Sequence, residues 1–160
     1  MHQIVVDIGE YQVTDDPSAI LITYSLGSCI AVVLYDPVVK VGGMLHLMLP
    51  DSEINPLRAR ERPGMFADTG IPLLLESCER LGAEKSRLQV KVAGGGEMLD
   101  SSGFFRIGKR NYAAVRRILW QHGLMIRAQD VGGNANRTVS LEMATGKVKV
   151  KISGDGIKEL

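Results

Sequence analysis

Three residues with chemically useful side chains interrupt or border segments that are otherwise apolar: Thr23, Cys29 and His46. A cysteine acts as a nucleophile through its thiolate, yet a free thiol with a pKa of about 8.5 is mostly protonated at neutral pH. A neighbouring histidine that takes the proton, and is itself held by a third group, removes that obstacle. The residue types therefore suit Cys29 as nucleophile, His46 as its base and Thr23 as the group that orients the imidazole. Such an activated thiol is expected to be alkylated well below the pH that an ordinary thiol needs.

The segment just before Cys29 is a candidate oxyanion site. Gly27 and Ser28 separate two apolar runs, and glycine permits a tight or left-handed turn there. Such a turn aims successive backbone N–H groups at one point, where they stabilise a developing negative charge. We therefore predict that Gly27 and Ser28 form the turn that presents the nucleophile.

Candidates for a substrate groove come from two other stretches. In a strand over residues 41–49, side chains at alternate positions point to the same face, which places two methionines beside His46. Adaptable methionine side chains suit a bound helical peptide, and glycine turns let another backbone approach closely. The predicted groove residues are Met44, Met48, Gly94, Gly95 and Gly96.

Each of these residues also has an ordinary structural interpretation. A single cysteine beside strands is usually an inert small hydrophobe, and threonine is at home in any strand. A histidine in an apolar strand is commonly a core residue with satisfied hydrogen bonds. Because opposed residues on paired strands have Cβ atoms about 4.5–5.5 Å apart, Thr23 and His46 meet if their strands are neighbours. Residue chemistry alone leaves the catalytic and the structural interpretation open.

The other cysteine and a second histidine are predicted to be structural. Cys78 falls on the apolar stripe of a helix, so we expect it in the core. His122 comes at the end of a helix, just before Gly123, where a cation is favourable. Two cysteines and three histidines that are so dispersed do not form a structural zinc site, and we expect neither a metal nor another cofactor.

Hydrophobic periodicity predicts an α+β fold with helices packed on a large sheet. Continuous apolar runs among the first strands predict a sheet that is buried on both faces. Residues 51–64 show no periodicity and are predicted to form a mobile surface loop, and Pro72 should lie near the first turn of its helix or kink it. The predicted strands cover 3–13 with a bend at Gly9, 19–24, 30–35, 41–49, 88–93, 124–129, 139–143 and 147–152, and the predicted helices cover 67–81 and 111–123.

Composition restricts the classes of function. The chain has 160 residues, of which 45% are apolar and 23% charged, as expected for one globular domain over 1–160. Nineteen basic residues against 18 acidic ones leave a net charge of +1, so we expect no nucleic-acid partner. The apolar run over residues 41–50 is too short to insert into a membrane. Two cysteines are too few for a secreted disulfide scaffold, which favours the cytoplasm.

Several stretches of the sequence together resemble the CheD family of bacterial and archaeal chemotaxis. The specific pair is Leu-Gly-Ser-Cys-Ile-Ala-Val at 26–32 with Gly-Gly-Met-Leu-His-Leu-Met-Leu-Pro at 42–50. Further agreement lies at 36–37, 66–69, 92–98 and 132–137, so that the likeness spans about residues 8–150. The resemblance implies a layered α/β/β sandwich with a large mixed sheet and two main helices.

The same resemblance implies the function. CheD proteins are glutamine deamidases that convert side-chain amides on the cytoplasmic helices of methyl-accepting chemoreceptors to glutamates. The family's nucleophile, base and threonine match Cys29, His46 and Thr23. A second activity, hydrolysis of receptor methyl esters, would use the same Cys thioester, and a CheC-type phosphatase is the further partner that the family implies. The alternative is a non-catalytic chemotaxis adaptor that acts by binding that phosphatase or a receptor.

Overall fold

The computed structural model describes residues 2–97 and 106–160. In these ranges ten strands form two five-stranded sheets, accompanied by three α-helices and three single 3-10 turns. The strands are β1 (His2–Val5), β2 (Tyr11–Thr14), β3 (Ala19–Leu26), β4 (Ile30–Asp36), β5 (Val41–Leu47), β6 (Gln89–Gly94), β7 (Ile126–Val131), β8 (Arg137–Glu142), β9 (Lys147–Ile152) and β10 (Gly156–Glu159). The helices are α1 (Pro56–Glu61), α2 (Ala67–Arg80) and α3 (Ile107–Gln121). None of the helices within the described ranges combines the length and the apolar character that crossing a bilayer requires.

The two sheets and the helices form three layers. The central sheet has the strand order β2-β5-β4-β6-β7, and the outer sheet has the order β1-β3-β8-β9-β10. Each is mixed, with one parallel pair, β6–β7 or β1–β3, and antiparallel pairs elsewhere. One face of the central sheet packs against α2 and α3, and the other packs against the outer sheet. The α+β layered sandwich is therefore confirmed, with two sheets of equal strand number.

Burial on both faces explains the continuous apolar runs of β4 and β5, in which every residue is buried. Side chains at alternate positions of β4 belong to two different hydrophobic cores. Ile30, Val32 and Leu34 pack towards the helices, whereas Ala31 and Val33 pack towards the outer sheet. Strands β8 and β9 instead alternate between buried and less buried residues, because only one face of the outer sheet is covered.

The predicted first strand is in fact two strands that belong to different sheets. β1 pairs with β3 in the outer sheet, and β2 pairs with β5 in the central sheet. Gly9, with φ of 77°, lies in the connection between them, where a bend was expected. We call residues 6–10 the crossover segment, since they carry the chain from one sheet to the other.

The prediction of an irregular loop over residues 51–64 is wrong. Two 3-10 turns, Ser52–Ile54 and Pro63–Met65, flank helix α1 in this region. The side chain of Asp51 accepts a hydrogen bond from the backbone of Glu53, and that of Asn55 accepts one from Arg58, so that both helical starts are capped. Elements of one or two turns are too short to show a hydrophobic period, which is why the sequence pattern missed them.

The remaining boundaries differ by a few residues. α3 begins before residue 111, and β7 ends later than predicted. Pro72 lies in the second turn of α2, and the helix continues beyond it to Arg80. β10 was not predicted, because its four residues are all exposed and lack an apolar pattern. His122 caps the C-terminal end of α3 and Cys78 is fully buried, as expected.

Candidate active site

Thr23 and His46 meet between the two sheets. Thr23 extends from β3 of the outer sheet, and His46 extends from β5 of the central sheet, so the two residues meet although their strands are not paired neighbours. Thr23 Oγ1 lies 2.7 Å from His46 Nδ1, and both side chains are fully buried. The contact therefore depends on face-to-face packing of the sheets.

The crossover segment determines which ring nitrogen of His46 carries the proton. Thr23 Oγ1 lies 2.6 Å from the carbonyl oxygen of Val6, which can only accept a hydrogen bond. The single hydroxyl hydrogen is therefore donated to Val6, and Nδ1 of His46 must donate to the hydroxyl oxygen. The other nitrogen of the neutral ring, Nε2, then keeps its lone pair, and it is buried without a hydrogen-bond partner among the described residues.

The same segment also holds the backbone of His46. The amide of His46 donates to the carbonyl of Glu10 over 3.0 Å, and the amide of Gly9 donates to the carbonyl of His46 over 2.8 Å. Together with the Val6 contact, these bonds fix the strand and the imidazole plane from one side. The crossover segment had no signal in the sequence beyond a bend at Gly9.

Cys29 lies on the same face of the central sheet as His46. The antiparallel register of β4 and β5 pairs Ile30 with Leu47 and Ala31 with His46, so Cys29 is one step before β4 and diagonal to His46. The backbones of diagonal neighbours lie about 7–8 Å apart, a distance that a side chain as long as histidine can span. Cys29 is only half-buried and packs against the inter-sheet core, whereas Cys78 is fully buried on the helix side. The register thus places Cys29 on the same face of the central sheet as the imidazole, whose Nε2 has no hydrogen-bond partner, the thiol included, among the described residues.

The carbonyls of Gly27, Ser28 and Cys29 all accept hydrogen bonds. The carbonyl of Gly27 accepts from the amide of Gly96, that of Cys29 accepts from the amide of Gly95, and that of Ser28 accepts from the side chain of Asn111, at 2.8 to 2.9 Å. The backbone amides of Ser28 and Cys29 have no carbonyl acceptor among residues 2–97 and 106–160. Such free N–H groups beside a nucleophile are the donors that an oxyanion requires.

The backbone conformation of the turn before Cys29 differs from the prediction, which placed the tight or left-handed conformation at Gly27. Gly27 has no positive φ; the left-handed residue is Ser25, with φ of 59°, at an irregularity of the pairing between β3 and β8. The glycine that sterics require is Gly94, with φ of 116°, because a Cβ there would collide with the carbonyl oxygen of Cys29. β6 can therefore approach the backbone of Cys29 this closely only because residue 94 is a glycine.

Arg137 stabilises the glycine turns from the outer sheet. Its guanidinium donates to Asp130 over 2.8 Å, to the carbonyl of Gly94 over 3.2 Å and to that of Gly132 over 2.7 Å. The side chain is 5% exposed, so its charge is compensated by these acceptors rather than by water. Burial raises the pKa of Asp130, but the bonds from Lys158 and Arg137 outweigh it and hold that pKa below its ordinary value.

The predicted groove residues divide into two groups. Met44 is fully buried in the inter-sheet core, so the expectation that it lines an open groove is wrong. Met48 is half-buried beside Met65 and Phe66. The three glycines are also buried. They support the turn before β4, because Gly94 pairs with Ile30, and the amides of Gly95 and Gly96 donate to the carbonyls of Cys29 and Gly27.

Burial determines the protonation states. It lowers the pKa of His46 to about 4, against a smaller opposing effect of the Asp7 carboxylate. It raises the pKa of Cys29, against a smaller lowering by the residue's own amide. The resting pair is therefore a neutral thiol and a neutral imidazole at neutral pH. This is the opposite of the depressed thiol pKa on which the expectation of easy alkylation depended, because the sequence does not reveal how far the thiol is desolvated.

Asn111 was missed as a site residue by the sequence argument. Periodicity marks this residue only as the start of a helix, yet its side chain on α3 is fully buried and donates to the carbonyl of Ser28. A signal was present, because Asn111 shares the helical stripe of Ala114, Val115 and Ile118. No three His, Cys, Asp or Glu side chains gather as metal ligands would in the part of the chain that the structure describes.

Comparison with known proteins gives one family. A family model described as CheD chemotactic sensory transduction matches residues 48–152. A protein of Syntrophus aciditrophicus named "Probable chemoreceptor glutamine deamidase CheD 1" is 52% identical over 160 residues, covering 100% of both chains. "Chemoreceptor glutamine deamidase CheD" of Thermotoga maritima is 43% identical over 160 residues, covering 98% of each chain. A Solibacter usitatus protein named "Probable chemoreceptor glutamine deamidase CheD" is 49% identical over 154 residues, covering 96% of this chain and 91% of its own.

Proposed function

Because this chain belongs to the CheD family, we propose that it is a chemoreceptor glutamine deamidase with Cys29 as nucleophile, His46 as base and Thr23 as the residue that orients the base. The observation that carries the assignment of roles is the Thr23–His46 hydrogen bond, which leaves Nε2 as a free acceptor on the face that Cys29 shares. A core histidine without a catalytic role would be expected to have both nitrogens satisfied.

The first half of the reaction starts from the neutral pair. As the sulfur of Cys29 attacks the side-chain amide carbon of a glutamine, its proton passes to Nε2 of His46 and the carbonyl electrons move onto oxygen. The free amides of Ser28 and Cys29 stabilise that oxyanion. The C–N bond then breaks, the imidazolium returns its proton to the leaving nitrogen as ammonia departs, and a thioester remains. Since the pKa of His46 is about 4, the imidazolium is a strong acid for this step.

Hydrolysis of the thioester reverses the proton path. A water molecule gives a proton to Nε2 of His46 as its oxygen attacks the thioester carbon. The C–S bond breaks, and the imidazolium reprotonates the sulfur of Cys29. The products are a glutamate side chain and the free enzyme in its starting protonation state.

The finer functions follow from the same family membership. Hydrolysis of a receptor methyl ester would pass through the same thioester, with methanol in place of ammonia as the leaving group. We retain receptor cytoplasmic helices as the substrate and a CheC-type phosphatase as a further partner. The non-catalytic adaptor is less favoured, because it gives no reason for an unpaired buried Nε2 on the face of the sheet that Cys29 shares.

The substrate class is tested by comparing a chemoreceptor cytoplasmic fragment with free glutamine. We expect ammonia release and the mass increase of amide-to-acid conversion on the fragment, and no turnover of free glutamine. Mass spectrometry of the digested fragment and a coupled ammonia assay measure both. Equal turnover of free glutamine would indicate a general amidase, and no turnover of either would contradict the proposed function.

Replacing Thr23 by valine tests the orientation of the base. Thr23→Val keeps the shape but leaves Val6 without a donor and lets His46 adopt the tautomer whose Nε2 is protonated. We expect kcat to fall about 10- to 100-fold, with about 1–3 kcal/mol lost from the free energy of unfolding. Steady-state kinetics and urea unfolding measure the two effects. Thr23→Ser restores the hydroxyl and should recover most of kcat; a valine variant with the wild-type kcat would show that Thr23 is only a core residue.

A further inference from the structure

A single side chain links the segment that carries the nucleophile to the segment that carries the base. Asn111 Nδ2 lies 2.9 Å from the carbonyl oxygen of Ser28 and 2.9 Å from that of Met48. Ser28 is the residue before Cys29, and Met48 is two residues after His46. Each bond therefore holds the backbone within two residues of a reacting group.

The orientation of this amide is determined by its partners. Both are carbonyl oxygens, which only accept, so the NH2 group must face them and Oδ1 must face away. Asn111 is fully buried, and its Oδ1 has no hydrogen-bond partner among the described residues. Leaving a buried acceptor unpaired costs free energy. An apolar residue on this helical stripe would avoid that cost but would remove the donor from the carbonyls of Ser28 and Met48, so the two donated bonds are what this side chain contributes here.

We propose that Asn111 is a positioning residue, which sets the distance and angle between the Cys29 thiol and the His46 imidazole by holding both backbone segments with one amide. The proposal rests on the proposed function of this site. Pairing of β4 with β5 ends at Ile30 and Leu47, so it includes neither Ser28 and Cys29, which precede β4, nor Met48, which follows β5. Asn111 joins these two backbone segments just beyond the last paired residues of β4 and β5. The helix that carries Asn111 packs on the face of the central sheet that is remote from the outer sheet. In this proposal Asn111 therefore supports the site from the helix side and does not contact substrate.

Asn111→Asp is the decisive variant, because it preserves the size of the side chain but places an oxygen against two carbonyl oxygens. We expect kcat to fall about 10- to 100-fold on a receptor fragment with KM little changed, since a misplacement of about 1 Å costs that much. We also expect the acidic limb of the pH–rate profile to move, as the surroundings of His46 change. Asn111→Leu should show the same loss of kcat, and it distinguishes loss of the donors from introduction of a charge.

Ile118→Ala is the matched control. Ile118 is a nearly buried residue of the same helical stripe, about two turns further along α3, and its truncation should lower the midpoint of thermal unfolding. Kinetics are compared at temperatures where circular dichroism shows each variant fully folded. If the two Asn111 variants retain the kcat of Ile118→Ala and its pH profile, Asn111 is a structural residue only. A wild-type enzyme without deamidase activity would instead refute the proposed function.

Discussion

Cys29→Ala is expected to abolish deamidation of receptor fragments, with a loss of at least about 10⁴-fold in kcat. The proposed reaction proceeds through a bond between the substrate carbonyl carbon and sulfur, and alanine offers no atom to form it. Ammonia release and the mass of the receptor peptide are the measurements. Because Cys29 is half-buried at the end of a strand, the change should leave the fold and the unfolding midpoint nearly unaltered.

The matched control is Cys78→Ala, which removes the other thiol. Cys78 is fully buried against Leu74 and the central sheet, and burial raises its pKa to about 12. We expect this variant to lose some stability and to keep its activity. Receptor binding by Cys29→Ala separates enzyme from adaptor: undiminished binding with no turnover fits the proposed function. A Cys29→Ala protein that deamidates at the wild-type rate would eliminate the thioester mechanism.

His46→Gln is expected to lower kcat by about 10²- to 10⁴-fold, because glutamine cannot accept the thiol proton or return it to the leaving nitrogen. In the wild-type enzyme, only neutral His46 can act as base. As its pKa is lowered to about 4, kcat/KM should stay constant from neutral pH down to about 5 and then fall through pH 4. A pH–rate profile on a receptor fragment measures the pH at which kcat/KM falls on the acidic side. A limb near pH 6.5, the ordinary value for histidine, would mean that His46 is not the buried base described above.

The same titration predicts a change in stability. The folded state binds the His46 proton less readily than the unfolded state, so stability falls as pH decreases from 6.5 to 4. The contribution is about 3 kcal/mol across that window. Urea unfolding at intervals of pH measures it, and His46→Gln, which cannot titrate, should lose this part of the dependence. The unfolding curves also show down to which pH the enzyme remains folded, and therefore over which acidic range the pH–rate profile describes folded enzyme.

Several features could be predicted from the sequence because they depend on local pattern. The near-continuous apolar residues of β4 and β5 indicated strands covered on both faces, and the stripe on α2 placed Cys78 in the core. The resemblance of the motifs around Cys29 and His46 identified the family, which the family model and the full-length relatives confirm. The short helical segments over residues 51–65 contain too few turns for hydrophobic periodicity to predict them.

The sequence by itself determined that Thr23, Cys29 and His46 could form a cysteine–histidine site, since their types and their places at or within apolar strands are local properties. The tertiary structure decided how Thr23 and His46 meet. Stacking of the two sheets, and not strand pairing, brings Thr23 to His46, and the carbonyl of Val6 selects the tautomer. The direction of both pKa shifts likewise depends on what covers the side chains. Packing and desolvation arise from segments remote in the chain, which no local pattern encodes.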